Sequence, residues 1–278
     1  MLRKTLLGAG AALLLAGPVL AQAPEAKTVK PTPQPAVSMP PAAALPSVDE
    51  VIAKHVAARG GMDKLKSVKT LRMSGKMAMG PGIEVPISLE IMRPARMRME
   101  MTFQGMTGIQ AYDAGSGWMV MPFGGRTDPQ PMSPDDLKDA EEMSDVDGAL
   151  VDYKSKGHSV ELLGKENVEG TEAYKLRITL KNGDQRTAYI ETESFMEIRQ
   201  EGKRKIRGSD VEIEASMGDF KEVGGVIFPH SIEQAMKGNP QKQKITIEKI
   251  EINPALEDAR FKMPAAAPSP SPSPAANK

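Results

Sequence analysis

The sequence predicts a mainly β protein: a strongly curved antiparallel sheet of about 11 strands forming a half-open β-barrel, with an N-terminal helix and a helical insert as lid. Three observations carry this expectation. Apolar residues recur at every second position in segment after segment, as in RMRMEMTF (96–103), where Met97, Met99, Met101 and Phe103 alternate with Arg96, Arg98, Glu100 and Thr102. Gly- and Asn-containing turns separate the segments at intervals that suit a meander. The sequence offers few helices to cover the apolar face that this alternation creates, so the sheet has to curl over its own apolar side.

The elements follow in order. MLRKTLLGAGAALLLAGPVLA (1–21) has Arg3 and Lys4 before an apolar run, then a Gly17-Pro18 break and small residues up to Ala21, the pattern of a cleaved secretory signal peptide. The run is cut short of the ~20 apolar residues that a membrane-spanning helix needs, so no integral membrane segment is expected in the mature form. Residues 22–46 are Pro- and Ala-rich and read as a disordered linker; 264–278 read as a disordered Pro/Ser/Ala tail. One domain is expected between them, at 47–263. It opens with SVDEVIAKHVAARGG, in which Ser47 and Glu50 form a capping box, Val48, Val51, Ile52 and Val56 share a face, and Gly60-Gly61 supplies the stop. A helical turn, MDKLKS, precedes the first strand.

Strands are expected at 71–79, 85–91, 97–103, 108–113 and 117–122. Ser133, Pro134 and the acids after them then start one or two short helices within 131–157. Strands resume at 159–168, 172–181, 185–191, 195–203, 209–220, 226–236 and 242–252. No repeat of fixed period is evident, which argues against a propeller or solenoid.

Composition narrows the function. The chain has no cysteine, which excludes disulfides, thiolate metal sites, a cysteine nucleophile and a lipidated cysteine after the leader. Charge is balanced at 36 basic and 36 acidic residues, so nothing points to nucleic acid or an anionic membrane. His55, His158 and His230 are far apart and lack metal-ligand spacing. Ser116, in GSG between two strands, lacks the strand-to-helix elbow of a nucleophile, and Asp113 reads as a turn residue. The acids of 135–147 lack the ligand order of an EF-hand and read as a solvated helix face. No catalytic residue, metal or cofactor is therefore assigned.

The segments VDEVIAKHVAARGGMDKLKSVKTLRMSGKM (48–77), IQAYDAGSGWMVMP (109–122) and DFKEVGGVIFPHSIE (219–233) resemble the LolA/LolB-like periplasmic lipoprotein-carrier superfamily, the outer-membrane lipoprotein-sorting proteins. The resemblance implies an incomplete antiparallel barrel whose hydrophobic concavity, closed by helices, shelters acyl chains. It implies an exported, periplasmic, non-enzymatic carrier with lipid or lipoprotein acyl chains as cargo, and an envelope donor or acceptor protein as a further partner. The sequence does not single out a lid-locking arginine: Arg72, Arg93, Arg96 and Arg98 are candidates by position.

The cavity lining expected on this basis is Leu71, Met73, Val85, Ile87, Leu89, Ile91, Met97, Met99, Met101, Phe103, Trp118, Leu176 and Ile178. Three other readings compete. Met fills irregular core gaps well, so the row of methionines also suits ordinary core. Period-two thioethers also suit Cu(I), although the neighbouring strands put Val, Ile, Leu and Phe on the same side. The same concavity could instead receive a protein partner, which would make this an interaction or sensor module.

Overall fold

A computed structural model describes residues 45–80, 82–206 and 209–264. The expected signal peptide and the tail beyond 264 lie outside these residues, as does most of the linker. Helices α1 (Val48–Ala58) and α2 (Met62–Ser67) lead into β1 (Thr70–Gly80), β2 (Ile83–Met92), β3 (Arg96–Phe103), β4 (Met106–Asp113) and β5 (Ser116–Val120). A two-residue β6 (Gln130–Pro131) and α3 (Pro134–Met143) follow. Then come β7 (Ser159–Val168), β8 (Thr171–Thr179), β9 (Gln185–Glu191), β10 (Glu197–Ile206), β11 (Ser209–Val223), β12 (Val226–Met236) and β13 (Gln243–Ile252). Only one of the expected helices forms in the insert, and residues 145–157 turn without a second one.

All strands join one antiparallel sheet in the order β6-β5-β4-β3-β2-β1-β13-β12-β11-β10-β9-β8-β7, curved but not closed. Two meanders meet where β1 pairs with β13. The helices lie on the inner face, where Val51, Ile52 and Val56 of α1 and Leu65 of α2 pack with Leu71, Ile91, Met97, Leu176, Ile178, Val226 and Ile250. The outer face carries the charged alternates, exemplified by Arg72 paired with Glu90 at 2.9 Å.

Local sequence explains these elements. Ser47 Oγ accepts from the Glu50 N–H at 3.2 Å while the Glu50 carboxylate accepts from the Ser47 N–H at 2.7 Å, so α1 starts as its capping box predicts. Gly60, at φ 113°, ends the helix where a Cβ would stand 2.0 Å from the Gly225 carbonyl oxygen, so the α1–α2 turn sits hard against the β11–β12 turn. In the β1–β13 ladder Ser74 faces Lys249 but Gly75 faces Ile247, a bulge at Glu248 that shifts the alternation by one. Ile245, Ile247, Ile250 and Ile252 therefore all face inward despite their mixed parity.

Beyond β13 the chain crosses the outer face. Asp258 pairs with Arg96 (2.9 Å), Arg260 pairs with Glu90 (2.7 Å), and Phe261 is buried. This strap covers β2 to β5 from outside.

A Cβ at Gly75 would lie 1.9 Å from the Thr246 carbonyl oxygen, an overlap that only backbone movement relieves. Gly75→Ala should destabilise the protein by about 1–3 kcal/mol, read as a lower urea midpoint, because overpacking against backbone has no cheap relaxation. A midpoint equal to wild type would show that the bulge is not a tight junction.

Candidate functional site

The methionines of β3 belong to rows that cross the inner face from strand to strand. The first row runs Ile252, Leu71, Ile91, Met97, Tyr112, and the second runs Ile250, Met73, Leu89, Met99, Gln110. The third is Ile247, Gly75, Ile87, Met101, Gly108; the fourth includes Met217, Ile232, Ile245, Met77 and Val85. Exposure grades along these rows. Leu71 (1%) and Met97 (0%) are sealed, Met73, Leu89 and Met99 are half-buried, and Met79, next to the end of β1, is 46% exposed. The first row is thus a closed core, whereas beyond it partly buried side chains such as Met73, Ile87, Leu89, Met99 and Met101 are interspersed with enclosed ones such as Val85 and Ile247.

The helices explain the gradient. Helices α1 and α2 cover the first row, and the 144–157 segment is fastened beside them by Asp147. That carboxylate is buried, accepts two hydrogen bonds from Arg93 (2.5 and 2.9 Å) and one from Lys66 (2.7 Å). Burial pushes the Asp147 carboxyl up, but the hydrogen bonds and charges of Arg93 and Lys66 outweigh it and hold the pKa at about 2. Arg93 also donates to the carbonyls of Leu65 and Val68, tying α2 to the same carboxylate. Of the four candidate arginines it is the one that fastens the cover: Arg72, Arg96 and Arg98 lie on the outer face, paired with Glu90, Asp113 and Glu100.

Helix α3 bridges the two halves of the sheet. Its apolar side puts Leu137 against β5, and its acidic side reaches the other meander, where Glu141 pairs with Lys181 (2.7 Å), Glu142 with Arg186 (2.7 Å) and Asp139 with Arg204 (3.7 Å). Burial raises the pKa of Glu142 against the opposing pull of Arg186. These acids, which look like a solvated helix face in the sequence, are half engaged in holding the lid.

The expected lining residues separate accordingly. Met73, Ile87, Leu89, Met99, Met101 and Phe103 are half-buried on the wall, and Phe123 from a 3-10 turn lies edge-on to Phe103 with ring centres 6.3 Å apart. Val85 is on the same face but enclosed, at 1% exposure. Leu71, Ile91, Met97, Leu176 and Ile178 are in the sealed core.

Trp118 is a correction. Its Nε1 donates to the Phe261 carbonyl at 2.9 Å and the Arg98 guanidinium lies 5.6 Å from its ring, so it sits on the outer face beneath the C-terminal strap. The preceding Gly117 sets this side: a Cβ there would meet Met132 Sδ at 2.5 Å and Leu137 Cδ2 at 2.9 Å, so Gly117 faces inward under α3 and Trp118 outward. The strap was the missing information. It follows the last alternating segment and has no periodicity of its own.

Burial holds His55 neutral, with its pKa pushed down to about 4, and its Nδ1–H donates to the Phe195 carbonyl at 2.8 Å. It anchors α1 to the β9–β10 turn. Among the described residues, no three His, Asp or Glu side chains are grouped to hold a metal ion.

The architecture is that of a half-open antiparallel β-barrel with helices on its inner face. Among solved structures it is similar to a DUF1329 family protein from Desulfovibrio piger (13% identity, covering 78% of this chain and 97% of that one, TM-score 0.54). It is also similar to a LolA superfamily protein from Nitrosomonas europaea (12% identity, 78% and 98%, TM-score 0.52). A third likeness is to an outer membrane lipoprotein-sorting protein domain from Vibrio parahaemolyticus (10% identity, 77% and 95%, TM-score 0.51). The chain therefore has the LolA-like fold, which its sequence resembles. No family model and no curated protein matches the sequence.

Two titrations should shape acid unfolding. Unfolded His55 takes a proton near pH 6.5 while the folded ring stays neutral down to about 4, so stability falls as pH drops across that window. The stabilisation from ionised Asp147 is complete above its ordinary value of 3.8 and is lost as pH falls through about 2. Urea midpoints measured from pH 8 to 2 should show both declines, with His55→Gln flattening the upper and Asp147→Asn the lower. Asp147→Asn should also cost about 3 kcal/mol at pH 7, because it leaves Arg93 facing a neutral partner at a buried site.

Proposed function

We propose that this protein is an exported, periplasmic, non-enzymatic carrier that holds lipid or lipoprotein acyl chains against the open half of its inner wall. The observation that carries this reading is the exposure gradient. A sheet built only to be covered would be sealed along its length, whereas here Met73, Ile87 and Met101 are only partly buried and Met79 and Met106, at the ends of their strands, are exposed. Methionine suits such a surface, because an unbranched, polarisable side chain adapts to ligands of differing shape. An acyl chain gains roughly 25 cal/mol per Å² of apolar surface removed from water, spread over many contacts. The likeness to LolA superfamily and lipoprotein-sorting structures supports the same reading at the level of fold. The leader at 1–21 supplies export, and the Pro-rich segments 22–46 and 264–278 act as tethers.

Met101 tests the wall without disturbing the core, since it is only partly buried and lies outside the core cluster. Met101→Glu should weaken binding of a fluorescent fatty-acid probe by about tenfold or more, because a carboxylate there must stay hydrated or take up a proton. Met101→Leu should bind like wild type, as should the outer-face variant Lys249→Gln. A folded Met101→Glu protein that binds the probe normally would show that the methionine wall is not the acyl site.

A further inference from the structure

Exposed apolar side chains are not spread evenly over this molecule. Among the described residues nine large ones are exposed, and five of them, Met79, Ile83, Met106, Phe123 and Met236, stand at strand connections along one end of the sheet. The other four are scattered: Leu45 and Met263 lie near the ends of the described chain, Met62 on α2 and Leu163 on β7. The five are exposed by 37 to 46%, at connections where Gly, Asn, Asp and Ser ordinarily dominate.

Strand register makes these connections neighbours. Gln243, where β13 begins, lies 4.0 Å from Met79 Sδ, so the β12–β13 connection stands beside the β1–β2 turn, across which Gly80 pairs with Ile83. Two residues beyond the Ile87–Met101 pair, the β3–β4 turn starts at Phe103, whose partner is Met106. Phe123, in the 3-10 turn Pro122–Gly124 after β5, meets the Phe103 ring. The series is continuous from β12 to β5. It lies at the opposite end of β12 from the β11–β12 turn, on which the α1–α2 turn packs.

These connections are also charged in one sense. Residues 79–83, 103–106, 121–127 and 236–244 contain Arg126, Lys237, Lys242 and Lys244 and no Asp or Glu. The balance of 36 basic and 36 acidic residues hides this, because the acids lie elsewhere. Lys237 and Lys242 reach back to Glu201, Glu212, Glu169 and Glu233 at 3.1 to 3.7 Å, while Arg126 and Lys244 are exposed and have no ion pair among the described residues.

We propose that this end of the sheet is a docking surface for an anionic phospholipid membrane, with the apolar tips entering the interface and the basic side chains facing the headgroups. Five side chains on separate connections do not make the continuous complementary patch that a stable protein interface needs, whereas a fluid bilayer accepts separate tips at once. Lysine and arginine beside an anionic leaflet add attraction to the small apolar area that each tip supplies. Docking needs no cargo, so it stands or falls apart from the acyl site tested above.

Flotation with vesicles tests this, using protein purified after export so that the apolar leader takes no part. Vesicles of phosphatidylcholine mixed with phosphatidylglycerol should be bound about tenfold more tightly than phosphatidylcholine alone, and the preference should shrink in high salt. The variant Met79→Ser/Ile83→Ser/Met106→Ser/Met236→Ser should lose about tenfold or more on the mixed vesicles. Arg126→Gln/Lys242→Gln/Lys244→Gln should bind the mixed vesicles no better than phosphatidylcholine. Leu163→Ser, at an exposed apolar residue away from this end, should bind like wild type. If the fourfold variant does not fold, Met79→Glu and Met106→Glu made singly apply the same test. Wild type that floats with neither vesicle, or folded tip variants that bind as wild type does, overturns the proposal. Sedimentation showing a wild-type dimer that the tip variants abolish overturns it too, because a second copy would then cover the tips.

Discussion

An apolar sheet face larger than the helices available to cover it is the constraint on which this molecule is built. The alternation in β1, β2, β3, β12 and β13 generates that face, and α1, α2 and the 144–157 segment cover only its first rows. Curvature brings the rest of the face around itself without sealing it. The fold therefore contains a conventional core and an open wall on the same strands, and the change from one to the other takes about two rows of side chains, some 7 Å per strand.

The cover is held by two kinds of interaction of unequal strength. Helix α1 is fixed by apolar burial of Val51, Ile52 and Val56 and by the His55 contact, while Asp147 joins β2, α2 and the following segment through a buried carboxylate. Helix α3 is different. Its bridge to the other meander combines two partly exposed pairs, Glu141–Lys181 and Asp139–Arg204, which contribute roughly 0–1 kcal/mol each, with the more buried Glu142–Arg186 pair.

The outer face has its own closure. Arg96, Arg98 and Glu90 alternate with the inward methionines and isoleucines, and the strap from 253 to 263 uses them as anchors through Asp258, the Arg260 carbonyl and the Arg260 guanidinium. Trp118 and Phe261 fill the space between, so the outer surface of β2 to β5 is a second, thin layer of packing. Residues that a period-two reading treats as solvated charges are here structural.

What the sequence determined by itself was the periodic part. Strand positions, the capping box of α1, the Ser133 cap of α3, the inward set of β1 to β3 and the meander follow from side-chain alternation and turn chemistry, which are local and read directly from neighbours in the chain. Tertiary structure decided everything that depends on who lies opposite. Trp118 faces outward because Met132 and Leu137 occupy the inner side at Gly117, and Ile245 and Ile250 share a face because a bulge opposite Gly75 shifts the register. Arg93, indistinguishable in the sequence from Arg72, Arg96 and Arg98, becomes the fastener because Asp147, far along the chain, is brought to it.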